Sequence, residues 1–216
     1  MKKGIREFRT EERNLKINNG KKEDIDNEHQ DKFIDVWLRG HYRNGSTAFR
    51  MKEGLIEKVP TNAIINDYGC GTGRLEVWWV SQRPKQKINM FDITVECLED
   101  EAINVVEDDN YNVEFYEVDL SNLKNIPKAD WGFCINVLMT VQKENLNAIM
   151  EGIHKSCDNL IAEMYDLSDK RLGFEMTTVK KNSSEWKAEF KKYWKTVEFI
   201  QSGESPHRYI FICKKK

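Results

Sequence analysis

Residues 65–74 read INDYGCGTGR: a short apolar run that ends at Asp67, then Gly69, Gly71 and Gly73 at alternate positions. Glycine adopts positive φ without a Cβ clash and lets the backbone come close to a ligand. Three of them in five residues mark a turn made for such an approach. NAIIND (62–67) before the turn reads as a strand, and Leu75 to Gln82 after it reads as a helix. The glycines therefore fall in a β–α turn. In a doubly wound sheet ligands sit beyond the carboxyl ends of the strands, where strand order reverses, and the following helix offers unsatisfied N–H groups at its start.

The same alternation continues downstream. INMFDI (88–93), VEFYEVD (113–119), WGFCINVLM (131–139), NLIAEMYD (159–166), TVEFIQS (196–202) and RYIFICK (208–214) read as strands. TVECLEDEAINVV (94–106, with Thr94 as N-cap), KENLNAIMEGIHKSC (143–157) and SSEWKAEFKKYW (183–194) read as helices. Repeated β-α-β units with short connections predict an α/β fold: a Rossmann-like, doubly wound, mostly parallel seven-stranded sheet covered by helices. The last two strands, joined by GESPH (203–207), are expected to be antiparallel to each other, which makes the C-terminal strand antiparallel.

Three regions follow. Residues 1–30, including NNGKKEDIDNEHQD (18–31), are dense in charge and read as a solvated arm. Residues 31–60 form an amphipathic helical lid, with Phe33, Val36 and Trp37 at helical spacing and Leu55 and Ile56 in a second helix. Residues 61–216 are the α/β domain.

Composition narrows the function classes. In 216 residues, 34 Lys and Arg stand against 36 Asp and Glu, so no net field draws the chain to nucleic acid or to an anionic membrane. No apolar run reaches the ~20 residues that span a bilayer, and MKKGIREFRTEER has no apolar segment of a secretory signal. A cytoplasmic location is the expectation. The five cysteines lack CxxC spacing, so they read as reduced, buried small hydrophobes rather than metal ligands.

Two ligand classes compete for the glycine turn. A dinucleotide site has G-x-G-x-x-G, but here the third glycine's position is Arg74; the P-loop pattern G-x-x-x-x-G-K-[ST] is absent too. Asp67 beside the turn would repel a pyrophosphate and suit a ligand with an ammonium group.

DYGCGTG resembles motif I of the class I S-adenosylmethionine-dependent methyltransferases, and the resemblance extends from about Ala63 to Cys213 through four successive strand ends. It implies S-adenosylmethionine as cofactor and S-adenosylhomocysteine as product. It also implies that Asp67, Gly69, Gly71 and Gly73 lie against the methionine part. Asp92, followed by Ile93, would take the ribose hydroxyls. Asp119 and Leu120 would hold the adenine, and Asn136 and Val137 would lie under the cofactor. In the lid, Tyr42 and Arg43 would close over it, Arg43 meeting its carboxylate by a forked contact.

The acceptor is read from the fourth strand's end. Base-amino methyltransferases carry [DNS]-P-P-[YFW] there to hold a flipped base; this chain has NVLM (136–139). Cys134 does not follow a proline, which removes a C5-cytosine mechanism. The segment is closer to that of small-molecule and some tRNA enzymes, except that Thr140 stands where a histidine often follows the Leu-Met pair. The expected activity is methyl transfer to an O or N nucleophile of a small molecule or exposed polar group. A tRNA-directed enzyme, an enzyme that cleaves or remodels the cofactor, and a non-catalytic scaffold are the alternatives. Further acceptor contacts are expected near Tyr165 and Asp166, with His207 a turn residue and no assigned general base.

Overall fold

β1 (Ile65–Tyr68) is the pivot of the structure, a computed structural model that describes residues 55–165, 178–201 and 208–215. On one side β1 pairs with β2 (Ile88–Asp92), which pairs with β3 (Val113–Glu117). On the other it pairs with β4 (Ala129–Ile135), and β4 with β5 (Cys157–Tyr165). These pairs are all parallel. β7 (Arg208–Lys214) then runs antiparallel between β5 and β6 (Thr196–Gln201), giving the order β3-β2-β1-β4-β5-β7-β6. The seven-stranded sheet with one antiparallel C-terminal strand is the one the sequence predicts. Strand order reverses at β1, so the crevice beyond its carboxyl end is the ligand position for this topology.

All four residues of β1 and all five of β2 are buried. Such near-continuous burial is expected of central parallel strands covered on both faces. One face carries α2 (Arg74–Gln82) and α3 (Asp100–Glu107), over a core that includes Ile65, Trp79, Ile103, Phe133 and Ile212. The short α1 (Leu55–Lys58) adds Leu55 to this core. The opposite face carries α4 (Leu146–Ser156) and α5 (Ser183–Phe190), over Tyr68, Phe91, Trp186, Trp194 and Phe211. Trp79, Trp131, Trp186 and Trp194 are thus core residues, and Cys97, Cys134, Cys157 and Cys213 are buried thiols rather than disulfides. Some buried polar groups of the central strands pair with one another or with α4: Asn89 donates to Asn66 Oδ1 at 2.7 Å, and the Tyr68 hydroxyl lies 2.7 Å from Ser156 Oγ.

Several boundaries differ from the sequence reading, each for a local reason. The helix expected over 94–106 is two pieces, a 3₁₀ turn at Val95–Cys97 and then α3. Thr94 does cap the first, accepting from the Glu96 N–H at 3.2 Å. Between them Leu98 and Glu99 are extended, because the Glu99 N–H donates to the Thr72 carbonyl at 3.0 Å. The glycine turn takes that donor from the helix. The strand expected through Met139 stops at Ile135, since Asn136 has φ 61 and leaves the pleat. The helix expected through Trp194 stops at Phe190, although its start at Asn182 has a full capping box with Glu185.

Gly73 shows how tightly α2 and α3 hold the turn. It has φ +75, and a Cβ there would stand 2.4 Å from the Ala102 Cβ. Gly73→Ala should therefore lower stability by about 2–5 kcal/mol, the sum of left-handed strain and overpacking, read as an earlier urea midpoint at unchanged slope.

Candidate functional site

The chain leaves β1 at Tyr68 and enters α2 at Arg74 through Gly69, Gly71 and Gly73, with φ of 80, 57 and 75. All three are left-handed, a conformation that costs residues with a side chain roughly 1–2 kcal/mol each. Gly69 and Cys70 donate their N–H groups to the Phe91 carbonyl at 2.7 and 3.1 Å, which ties the turn to the end of β2. Gly69 also faces the fourth strand's end: a Cβ there would lie 2.4 Å from Val137 Cγ2. The carboxyl ends of β1, β2 and β4 meet at this point.

Asp92 is the last residue of β2 and is buried. Its Oδ2 accepts the Gly71 N–H at 2.7 Å, and its Oδ1 accepts the Ile93 N–H at 2.8 Å. One carboxylate therefore fixes the middle of the glycine turn and starts the next loop. Burial pushes its pKa up to about 6 against the pull of these amides, and the nearby Asp67 carboxyl adds to the rise.

Asp67 lies one pleat from Tyr68 and so faces α2. It is buried, and its Oδ1 meets no donor among the described residues. Burial raises its pKa well above the usual carboxylate range, and the neighbouring Glu76 carboxyl raises it further. Glu76, in the first turn of α2, was not singled out by sequence. Its neighbours Leu75, Trp79 and Val80 are buried with it, so it lies on the inner stripe of the helix. An acid at i in an i, i+3, i+4 apolar set is the signal that would have found it.

The remaining sequence-derived positions surround this centre. The Val118 N–H donates to the Asp92 carbonyl at 2.7 Å, bringing the end of β3 to the end of β2. Asp119 is exposed and caps the 3₁₀ turn Leu120–Asn122, accepting the Ser121 N–H at 2.7 Å. The Asn136 N–H donates to the Glu163 carbonyl at 2.9 Å, while its buried Oδ1 has no partner among the described residues. Thr140 closes the same turn, its N–H and hydroxyl both donating to the Val137 carbonyl at 2.8 Å. Tyr165 ends β5 beneath the Arg208 guanidinium, 4.3 Å from the ring centre. Tyr42, Arg43, Asp166 and His207 lie outside the described residues. Arg74, where a dinucleotide fingerprint would have glycine, turns to Glu99, its Nε 2.8 Å from Oε2. The donor set of this crevice is thus acidic and amide-lined, with a bare backbone, and Asp67 Oδ1 awaits a donor. That chemistry fits a ligand with a cationic end and vicinal hydroxyls, the groups of an S-adenosyl amino acid.

The electrostatics predict a pH dependence. A carboxyl whose folded pKa is raised binds its proton more tightly in the folded state, so its contribution to stability is lost as pH rises from the unfolded to the folded pKa. For Asp92 that window is about pH 4 to 6, and the loss is about 3 kcal/mol at 1.36 kcal/mol per unit. Chemical denaturation between pH 4.5 and 7 should show wild type losing stability faster with rising pH than Asp92→Asn.

Residues 65–159 match the family model described as a methyltransferase domain. No curated protein sequence matches the chain. Among solved structures, the chain is similar to the 1,6-didemethyltoxoflavin N1-methyltransferase of Burkholderia thailandensis, determined with substrate and S-adenosylhomocysteine. The TM-score is 0.66 at 11% identity, over 92% of this chain and 94% of that one. The magnesium protoporphyrin IX methyltransferase of Synechocystis PCC 6803, with bound S-adenosylmethionine, gives 0.62 at 15% identity, over 91% and 87%. An O-methyltransferase family protein of B. thailandensis gives 0.62 at 12% identity over 87% of this chain, which spans only 63% of that longer protein. At these identities the structures speak for the fold, and the sequence match speaks for the domain. Over residues 65–159 the chain is thus similar to a methyltransferase domain, carried on a sheet shared with solved methyltransferases.

Proposed function

We propose that this chain binds S-adenosylmethionine over the glycine turn and methylates an O or N nucleophile of a small molecule. The observation that carries the cofactor site is the turn itself: three left-handed glycines pinned by the Asp92 carboxylate above an Asp67 oxygen without a donor. Bound there, S-adenosylmethionine supplies an already activated sulfonium methyl, so the protein's task is alignment and exclusion of water.

The residues divide that task by chemistry. Asp92 Oδ2 accepts the Gly71 amide and Oδ1 the Ile93 amide, and the lone pairs left on the carboxylate can take the ribose hydroxyls. Asp67 faces the ammonium end, where its buried charge would be compensated. Val137, against Gly69, forms an apolar floor, and Asp119 with Leu120 holds the adenine edge at the end of β3. Asn136 Oδ1 remains free to accept a hydrogen bond. Tyr42 and Arg43, from the sequence before residue 55, would complete the site. Thr140 takes no part in proton transfer, because its hydroxyl proton is held by the Val137 carbonyl.

For the acceptor, the fourth strand's end favours a small molecule. Asn136 to Met139 turn back with Leu138 and Met139 buried, and there is no proline-aromatic shelf for a flipped base. Two structurally similar proteins are a 1,6-didemethyltoxoflavin N1-methyltransferase and a magnesium protoporphyrin IX methyltransferase. Among the described residues no helix is long and apolar enough to cross a membrane.

Calorimetry should register S-adenosylhomocysteine binding to wild type and none to Gly71→Val, whose far-UV circular dichroism should stay nearly native. The branched side chain resists φ 57 and occupies the ligand's approach. Normal binding by that variant would move the cofactor elsewhere. Replacing both Tyr42 and Arg43 by alanine should lower turnover about tenfold or more, about 1.4 kcal/mol, and an unchanged rate would remove them from the site. A metabolite screen should yield S-adenosylhomocysteine together with a methylated small acceptor. Other sulfur products from the cofactor alone, or methyl found only on tRNA, would replace this reading with one of its alternatives.

A further inference from the structure

Asp67 and Glu76 stand side by side in a buried setting that offers them nothing else to hold. Both are at least nine-tenths buried, and Asp67 Oδ1, Glu76 Oε1 and Glu76 Oε2 have no well-formed hydrogen bond among the described residues, the Glu76 backbone N–H being the one amide that pulls on the Glu76 carboxyl. Asp67 points from β1 toward α2, Glu76 lies on the buried stripe of α2, and each carboxyl feels the other. Two ionised carboxylates so placed, out of water, repel strongly, and the ordinary outcome is one shared proton.

The surroundings give no other compensation. The titratable groups that face the pair are Asp92 on β2, Cys70 in the glycine turn and Cys134 on β4, with Cys97 beyond Cys70. All are acidic. Arg74, which opens the same helix, has its guanidinium committed to Glu99. Burial raises both carboxyl pKa values, and each group is felt by the other.

We propose that Asp67 and Glu76 work as one acid pair that carries a shared proton in the free protein and releases it when the ammonium group of the cofactor arrives. This rests on the cofactor reading above. On binding, the O–H of the protonated carboxyl breaks, its electron pair stays on the carboxylate, and the proton passes to the buffer base. The ligand's positive charge takes the proton's place. Glu76 is then a positioning residue, which acts on the ligand through Asp67 and sets how much negative charge Asp67 presents. It also makes the site selective for a cationic end, since a neutral ligand would leave the pair protonated and gain no charge attraction.

The test is calorimetric titration with S-adenosylhomocysteine at pH 7.0 in phosphate and in Tris, whose ionisation heats differ. At this pH Asp92, with a pKa of about 6, is mostly ionised already and contributes little. Wild type should release about one proton per ligand bound, and Glu76→Gln nearly none, because its amide donates to Asp67 and holds no titratable proton. The variant's affinity should correspondingly lose most of its dependence on pH between 7.0 and 6.5. Equal heats in both buffers for wild type would overturn the pair without any variant. Equal proton release by wild type and a folded Glu76→Gln would do the same. Absence of binding heat in wild type would instead remove the underlying cofactor reading.

Discussion

The hydrogen bond from the Gly71 N–H to Asp92 Oδ2, 2.7 Å long and buried, is the contact on which the crevice depends. A turn with left-handed glycines at three alternate positions has no intrinsic reason to hold one shape. The carboxylate at the end of β2 gives it one, and the Phe91 carbonyl, taking two further amides, sets its distance from the sheet. Because β1 and β2 are adjacent and parallel, both ends of this contact are fixed by ladder register, Asp67 opposite Met90 and Tyr68 opposite Phe91. The outer side is held by Glu99, whose N–H reaches Thr72 and whose carboxylate takes Arg74. α3 starts where it does for that reason.

The same architecture collects negative charge. Asp67, Glu76 and Asp92 are all buried within one turn of chain and strand, with no described cation bonded to any of them. Their ionised forms are costly in the folded protein, and the cost falls where a cationic ligand would relieve it. Structure and binding are thus coupled by electrostatics: what weakens the empty protein at neutral pH is what would attract the ligand. The acceptor side is built differently. There the Asn136–Thr140 turn is closed by its own hydrogen bonds, and it offers one unpartnered amide oxygen rather than an acid.

Much of this was legible in sequence because it is local. Period-two and period-3.6 patterns gave seven strands and their helices, and the glycine spacing marked the β1–α2 turn, with Asp92 ending β2 beside it. What escaped depends on contacts between distant segments. The break at Leu98–Glu99 arises from a bond to Thr72, which no propensity in 94–106 reports. The packing of Gly69 on Val137 joins residues 68 positions apart, and the left-handed Asn136 ends β4 where apolar residues continue. Glu76 reads as an ordinary first-turn acid until α2 is laid on β1, when it proves to face inward beside Asp67.

The most direct measurement is a crystal structure grown with S-adenosylhomocysteine. The ribose diol should lie on the Asp92 carboxylate, the amino group at Asp67 and the chain of the ligand across Gly69 to Gly73, with the backbone of the turn unmoved. Ligand density at any other strand end, or a glycine turn that must rearrange to admit it, would contradict the account.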